Sequence, residues 1–355
     1  MLTPQIHHAG KWFVHSGIQQ PDGGVARYYR ADLQRNHAVS TEISGYAIST
    51  LVYLHSLTGE ERYLERATAG ACFLSRAFRD TGMLAMPFET DPARFTYFFD
   101  CGIIVRGLLA AWRASGTEQF LDMAVGLGER MAVDFASPSG DFHPVLSLPD
   151  KLPAERDAQR WSQSAGCYQL KAAMGWWDLW EATGDAQFRE PFDRVLADSL
   201  RSYGEFLPGH PDRLKVTDRL HAFCYFLEGL LPRAADRRCA AALCDGLQRV
   251  SHHMRAIAPE FERSDVCAQL LRMRLYADAT GAVPLDRDAA AFEASRLAEF
   301  QATSEDPRID GGFYFGRREG AFLPYVNPVS TGFSLQALAM WEAAGSTVPL
   351  RHLLV

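Results

Sequence analysis

The sequence predicts an all-α toroid of six helical hairpins, and three observations carry that prediction. A unit of apolar helix, glycine turn and amphipathic helix recurs along the chain, at 41–78, 98–135 and 167–203. Each copy turns at an equivalent glycine, Gly59, Gly116 or Gly184. Glycine after a last apolar turn suits a helix end, because it enters the left-handed region with no Cβ to clash. Further first helices follow at 218–231, 264–281 and 327–345, which makes six.

The two helices of each unit read differently. First helices such as GIIVRGLLAAW are apolar on nearly every face and are expected to be buried. Second helices such as EQFLDMAVGLGERM carry one apolar stripe and are expected to wrap around them. Thr41, Asp100, Asp218 and Ser264 stand at first-helix starts, where short polar side chains accept hydrogen bonds from unpaired amides. The last hairpin lacks a full outer helix, and the segment PQIHHAGKWFVHSG near the start is expected to complete the ring. The expectation is one domain over 1–355 with twelve helices in a closed toroid.

Composition narrows the function. With 47% hydrophobic and 22% charged residues and a net charge of −7, the chain is globular. Lys and Arg are scattered, which excludes nucleic acid as the expected partner. No run approaches the roughly 20 apolar residues of a membrane helix, and no secretory leader pattern opens the chain, so no membrane partner and a cytoplasmic location are expected. Seven dispersed cysteines read as reduced, buried thiols. The pairs Gly23-Gly24 and Gly311-Gly312 lack phosphate-loop spacing, and His252-His253 on an outer helix reads as surface. No cofactor and no metal are expected.

In such a toroid the long connections between hairpins gather at the end where the inner helices begin, and long loops on a rigid scaffold carry function. Glu42, Asp100, Asp218 and Asp265 stand at equivalent places there and are the catalytic candidates. Cleaving a glycosidic bond needs one carboxyl group that is protonated and one that is ionised. Asp100 leads, because the aromatic run Phe95, Tyr97, Phe98, Phe99 before it is expected to raise its pKa by burial. The choice of partner among Glu42, Asp218 and Asp265 stays open. Trp161, Tyr168, Lys171, Arg219, His221, Arg263, Tyr314, Tyr325 and Asn327 are the substrate-binding candidates, with Gln163 and Ser330 nearby. Aromatics stack on sugar faces and Arg grips a carboxylate with two bonds. Gly311 to Tyr314 and Pro324-Tyr325 read as a short β-hairpin at this end, broken by RREG.

The segments WFVHSGIQQPDGGVARYYR, TEISGY with LTGEERYLERA, FFDCGIIVRGLLAAW and DGGFYFG resemble the (α/α)6-barrel, six-hairpin enzymes. That group includes glycoside hydrolases, unsaturated uronyl hydrolases and the N-acylglucosamine 2-epimerase group. The resemblance implies an (α/α)6 toroid and a carbohydrate-active enzyme, most simply a glycoside hydrolase acting on an oligosaccharide, uronic-acid-containing if Arg219, Arg263 and Lys171 face it. A sugar epimerase is the alternative, with His221, His143 and His210 as proton carriers; the epimerase group has a His in its last hairpin where this chain has Asn327-Pro328-Val329-Ser330. A non-catalytic glycan-binding toroid is the third reading. Terpenoid cyclases and prenyltransferases share related toroids, but no DxDD motif or zinc spacing occurs.

Overall fold

Gly59, Gly116 and Gly184 adopt φ of 69°, 68° and 72°, and each returns its amide to the carbonyl four residues back, closing the helix as the sequence predicts. The computed structural model describes residues 3–81, 95–157, 160–207, 212–343 and 348–355. Twelve α-helices lie among the described residues: α1 (Pro4–His15), α2 (Thr41–Thr58), α3 (Glu61–Thr81), α4 (Phe98–Ser115), α5 (Glu118–Asp134), α6 (Gln169–Thr183), α7 (Arg189–Phe206), α8 (Arg213–Gly229), α9 (Arg237–Ile257), α10 (Ser264–Ala279), α11 (Arg287–Ala298) and α12 (Pro328–Glu342).

The chain falls into two compact units. The first comprises Gln19–Arg27 and Ala38–Tyr203. Its inner helices α2, α4 and α6 are buried on every face through most of their length, from Ile43 to Leu54, Cys101 to Ala111 and Gln169 to Leu179. The outer helix α5 instead buries one stripe, Phe120, Met123, Ala124, Leu127 and Met131, at the three-and-four spacing of a single face. Short strands lead into two inner helices. Val25–Ala26 pairs with Val39–Ser40 ahead of α2, and Phe95–Tyr97 pairs with Val145–Ser147 ahead of α4.

The second unit comprises Met1–Ile18, Tyr28–His37 and Gly204–Val355. Its inner helices are α8, α10 and α12, and α10 is buried from Ser264 to Ala277. Helix α1 lays Ile6, Ala9, Trp12 and Phe13 inward and packs on α12, giving the last inner helix its outer partner. All seven cysteines are free thiols, and Cys101, Cys167, Cys224, Cys239 and Cys267 are buried.

One local expectation shifts and another gains detail. Helix α8 starts at Arg213, capped by the Asp212 carboxylate on the Leu214 amide at 2.9 Å, so Asp218 lies inside the helix and is not its cap. The expected meeting of Gly311–Tyr314 with Pro324-Tyr325 is seen in the antiparallel bridge of Tyr314 with Val326 and in the Phe315 amide donating to the Tyr325 carbonyl at 2.9 Å. The regular pairing lies nearer the tip, between Gly316–Arg318 and Ala321–Phe322, where Glu319 and Gly320 of RREG, at φ 47° and 82°, supply the tight turn.

Candidate functional site

In the first unit the inner helices touch backbone to backbone. A Cβ on Gly107 would sit 2.7 Å from the Gly45 carbonyl oxygen, and one on Gly102 would sit 2.3 Å from that of Ala172. Glycine at both contacts brings the first turns of α2, α4 and α6 close together. Those turns carry Glu42, Asp100 and Lys171. The pairing of Ala26 with Val39, and the Arg27 amide bonded to Ala38 at 3.0 Å, hold Arg27 at the entry to α2.

Glu42 and Asp100 are half-buried, so each keeps an opening to solvent. Burial of the charged form raises both carboxyls above the usual range, and for Asp100 the Glu42 charge adds to it; Arg27 pulls both back, and Lys171 pulls Glu42 back. Two acids that repel each other in a desolvated place give up their protons in separate steps. Around Asp100 stand Tyr97, held by Gln163, and Tyr168, both raised chiefly by burial with Asp100 adding to it. Trp161 meets Tyr168 edge to face at 5.0 Å, and Phe99 lies 6.1 Å from it. The Tyr168 hydroxyl donates to the Ser164 carbonyl at 2.9 Å. Lys171 has 0% exposure, with its ammonium 5.0 Å from the Tyr46 ring centroid.

The second unit holds a different cluster. Arg263 grips Asp265 with two bonds, 2.9 and 2.7 Å, and Asp218 with a third at 2.7 Å. Asp265 also accepts from the Val266 amide at 2.8 Å. Burial alone would raise its pKa, but Arg263, then His221, outweigh that and hold it below the usual range. His221 Nε2 lies 2.6 Å from the Tyr225 hydroxyl, and its Nδ1 lies 2.9 Å from Gln269 and 3.2 Å from Asp265. A cavity of about 480 Å³ opens beside this network, lined by Lys215, Asp218, Phe261, Phe315, Arg318 and Tyr325.

The remaining candidates are placed as follows. Arg219 turns away to the Phe206 carbonyl and ring. Tyr314 stacks on Phe322 at 4.8 Å, and Tyr325 lies under the Arg30 guanidinium at 4.9 Å. Asn327 caps α12 by accepting from the Ser330 amide at 2.6 Å. His210 lies outside the described residues. Asp265 and Asp218 thus serve Arg263, whereas Glu42 and Asp100 share one desolvated place. Sequence reading missed Arg27, Tyr225 and Gln269. The last two stand four residues after His221 and Asp265, a spacing that puts them on the same helix faces.

Solved structures align with nearly the full length of the chain. A D-mannose isomerase aligns at 9% identity and TM-score 0.72 over 95% of this chain and 96% of its own. The cellobiose 2-epimerase of Spirochaeta thermophila aligns at 13% and 0.71, covering 96% of both. The unsaturated glucuronyl hydrolase of Bacillus sp. GL1 aligns at 14% and 0.67, over 95% of this chain and 96% of that one. This is the six-hairpin, (α/α)6 toroid fold. No family model and no curated sequence matches the chain. The six-hairpin fold therefore rests on structure, and the chemistry rests on the side chains. None of the described helices is long and apolar enough to cross a membrane.

Proposed function

We propose that this chain is a carbohydrate-active enzyme that hydrolyses a glycosidic bond of an oligosaccharide, with Glu42 and Asp100 as its carboxyl pair. One observation carries the reading: two half-buried carboxyls on the first turns of adjacent, glycine-joined inner helices, both pushed up by burial. Hydrolysis consumes one water. One carboxyl gives its proton to the departing sugar oxygen, which keeps the electron pair of the broken C–O bond. The other, as carboxylate, supports the new bond at the anomeric carbon. A site whose two acids ionise in separate steps supplies both forms at one pH. The sugar-acting names of the structural neighbours support the substrate class. A uronic-acid preference draws no support from Arg219, Arg263 and Lys171, all three of which are engaged within the protein.

A second reading, a sugar epimerase, is favoured by His221, whose Tyr225, Asp265 and Gln269 contacts fix an imidazole for proton transfer. The test is a screen of wild-type and Asp100→Asn protein against glycans, uronic oligosaccharides and free amino sugars, followed by mass and anomeric NMR. Cleavage lost in the variant supports the hydrolase. Solvent deuterium entering a sugar without cleavage supports the epimerase. Equal binding by both proteins with no turnover refutes both and leaves a glycan-binding protein.

A further inference from the structure

We infer that a cavity among α9, α10 and α11 of the second unit binds a phosphorylated sugar, with its phosphate on Arg274 and Arg255 and a hydroxyl on Asp286. The inference goes beyond the Glu42 and Asp100 reading and does not depend on it. The cavity measures about 520 Å³ and is lined by Gln248, Ser251, His252, Arg255, Arg274 and Asp286. That volume falls within the roughly 300–1,000 Å³ of small-molecule pockets and is more than ten times the roughly 30 Å³ share of one water. Gln248, Ser251, His252 and Arg255 follow the i, i+3, i+4, i+7 spacing of one face of α9.

Arg274 carries the argument. It stands on an inner helix and is 8% exposed, and the fully buried Glu293 holds it only through Nε, at 2.9 Å to each carboxylate oxygen. Its two terminal amino groups make no hydrogen bond among the described residues. Buried polar groups in folded proteins are almost always paired. The other buried arginines of this unit follow that rule: Arg263, Arg272 and Arg317 each commit both terminal nitrogens to oxygen atoms. Unused guanidinium donors on a cavity wall form a fork suited to an anion. Arg255 adds a second guanidinium. Its Cζ lies 5.2 Å from the Phe292 ring centroid, and Phe292 precedes Glu293 in α11, so consecutive residues of one helix hold both arginines. The buried Ser251 hydroxyl also makes no hydrogen bond among the described residues, whereas Ser44 and Ser49 return theirs to the carbonyl four residues back. Two guanidinium forks and a hydroxyl match a phosphate monoester, with three acceptor oxygens and a charge of about −2, better than a carboxylate. Asp286 gives Oδ1 to the Ala289 amide at 3.0 Å, and its Oδ2 has no hydrogen-bond partner among the described residues. A carboxylate beside an anion site accepts from hydroxyls, so the ligand that fits carries both groups.

The test is isothermal titration of the full-length protein with glucose 6-phosphate, inorganic phosphate and glucose. Glucose 6-phosphate should bind most tightly, inorganic phosphate about tenfold or more weakly for want of the hydroxyl contact, and glucose not measurably. Arg255→Met, at an exposed position, should weaken glucose 6-phosphate by about tenfold or more, the least a charged hydrogen bond is worth. Arg274→Lys keeps a cation for Glu293 but loses the fork, and should weaken it likewise. Asp286→Ser keeps a helix cap and removes the carboxylate, so glucose 6-phosphate should fall to the level of inorganic phosphate. Arg201→Met, at a side chain 76% exposed on α7, should change nothing. Circular dichroism melts establish that each variant is folded, and if Arg274→Lys is not, Arg255→Met and Asp286→Ser decide. Absence of binding by either phosphate, unchanged affinity in Arg255→Met, or inorganic phosphate as tight as glucose 6-phosphate overturns the inference.

Discussion

Gly102→Ala tests the geometry that brings Asp100 and Lys171 together. A methyl group there would meet the Ala172 carbonyl oxygen at 2.3 Å, its Cα at 2.4 Å and its carbonyl carbon at 2.6 Å. All three are backbone atoms and cannot rotate aside, so α4 and α6 must separate by about 1 Å to reach ordinary contact. Overpacking of this kind costs about 1–3 kcal/mol, and a rigid backbone neighbour places the change at the upper end. Alanine's better helix propensity returns about 1 kcal/mol. The net expectation is a loss of about 2 kcal/mol, read as a lower urea midpoint at unchanged m-value. Gly126→Ala is the control: it lies within α5 with nothing within 4 Å, so only propensity acts, and it should stabilise by up to about 1 kcal/mol. Opposite signs for two identical substitutions isolate the helix contact as the cause. A Gly102→Ala protein as stable as wild type would refute the close approach of α4 and α6.

Three further outcomes follow from single features. Gly184→Ala should destabilise by about 1–2 kcal/mol in urea melts, because φ is 72° and no atom lies within 4 Å of the added methyl, leaving backbone conformation as the whole cost. Arg272→Met should cost about 3–5 kcal/mol by stranding the Glu228 carboxylate, since both side chains are 0% exposed and joined at 3.0 Å, and Arg272→Met with Glu228→Met should recover most of it. Burial raises Glu293 from 4.5 to about 7 against the pull of Arg274, so the folded state binds the extra proton across that window. Stability should therefore fall as pH rises from 4.5 to about 7, and Glu293→Gln should flatten the slope of urea midpoint against pH.

The helical hairpins were legible because the same turn chemistry recurs: Gly59, Gly116 and Gly184 need a left-handed residue, and few side chains compete for that place. Boundaries were less legible where two polar residues compete. Asp212 and Asp218 both look like caps, and the structure uses the earlier one, which the sequence pattern does not rank. The hairpin near 311–325 was legible as two pieces around RREG, and its regular pairing sits at the tip because Glu319-Gly320 makes the tight turn there. At the candidate site, Glu42 and Asp100 were readable from their place at the starts of inner helices. Their difference from Asp265 was not, because it depends on Arg263 folding back two residues to grip Asp265. Arg27 was unreadable, since its position comes from strand pairing across a long connection.

The most direct measurement is the turnover rate, on a glycan that the wild type cleaves, of Glu42→Gln, Asp100→Asn and the double variant. If the two carboxyls act as one acid–base unit, each single variant should lose about 10²-fold or more, and the double should lose little beyond the worse single. Near-wild-type turnover by Asp100→Asn, or losses that multiply in the double, would contradict a shared site at Glu42 and Asp100.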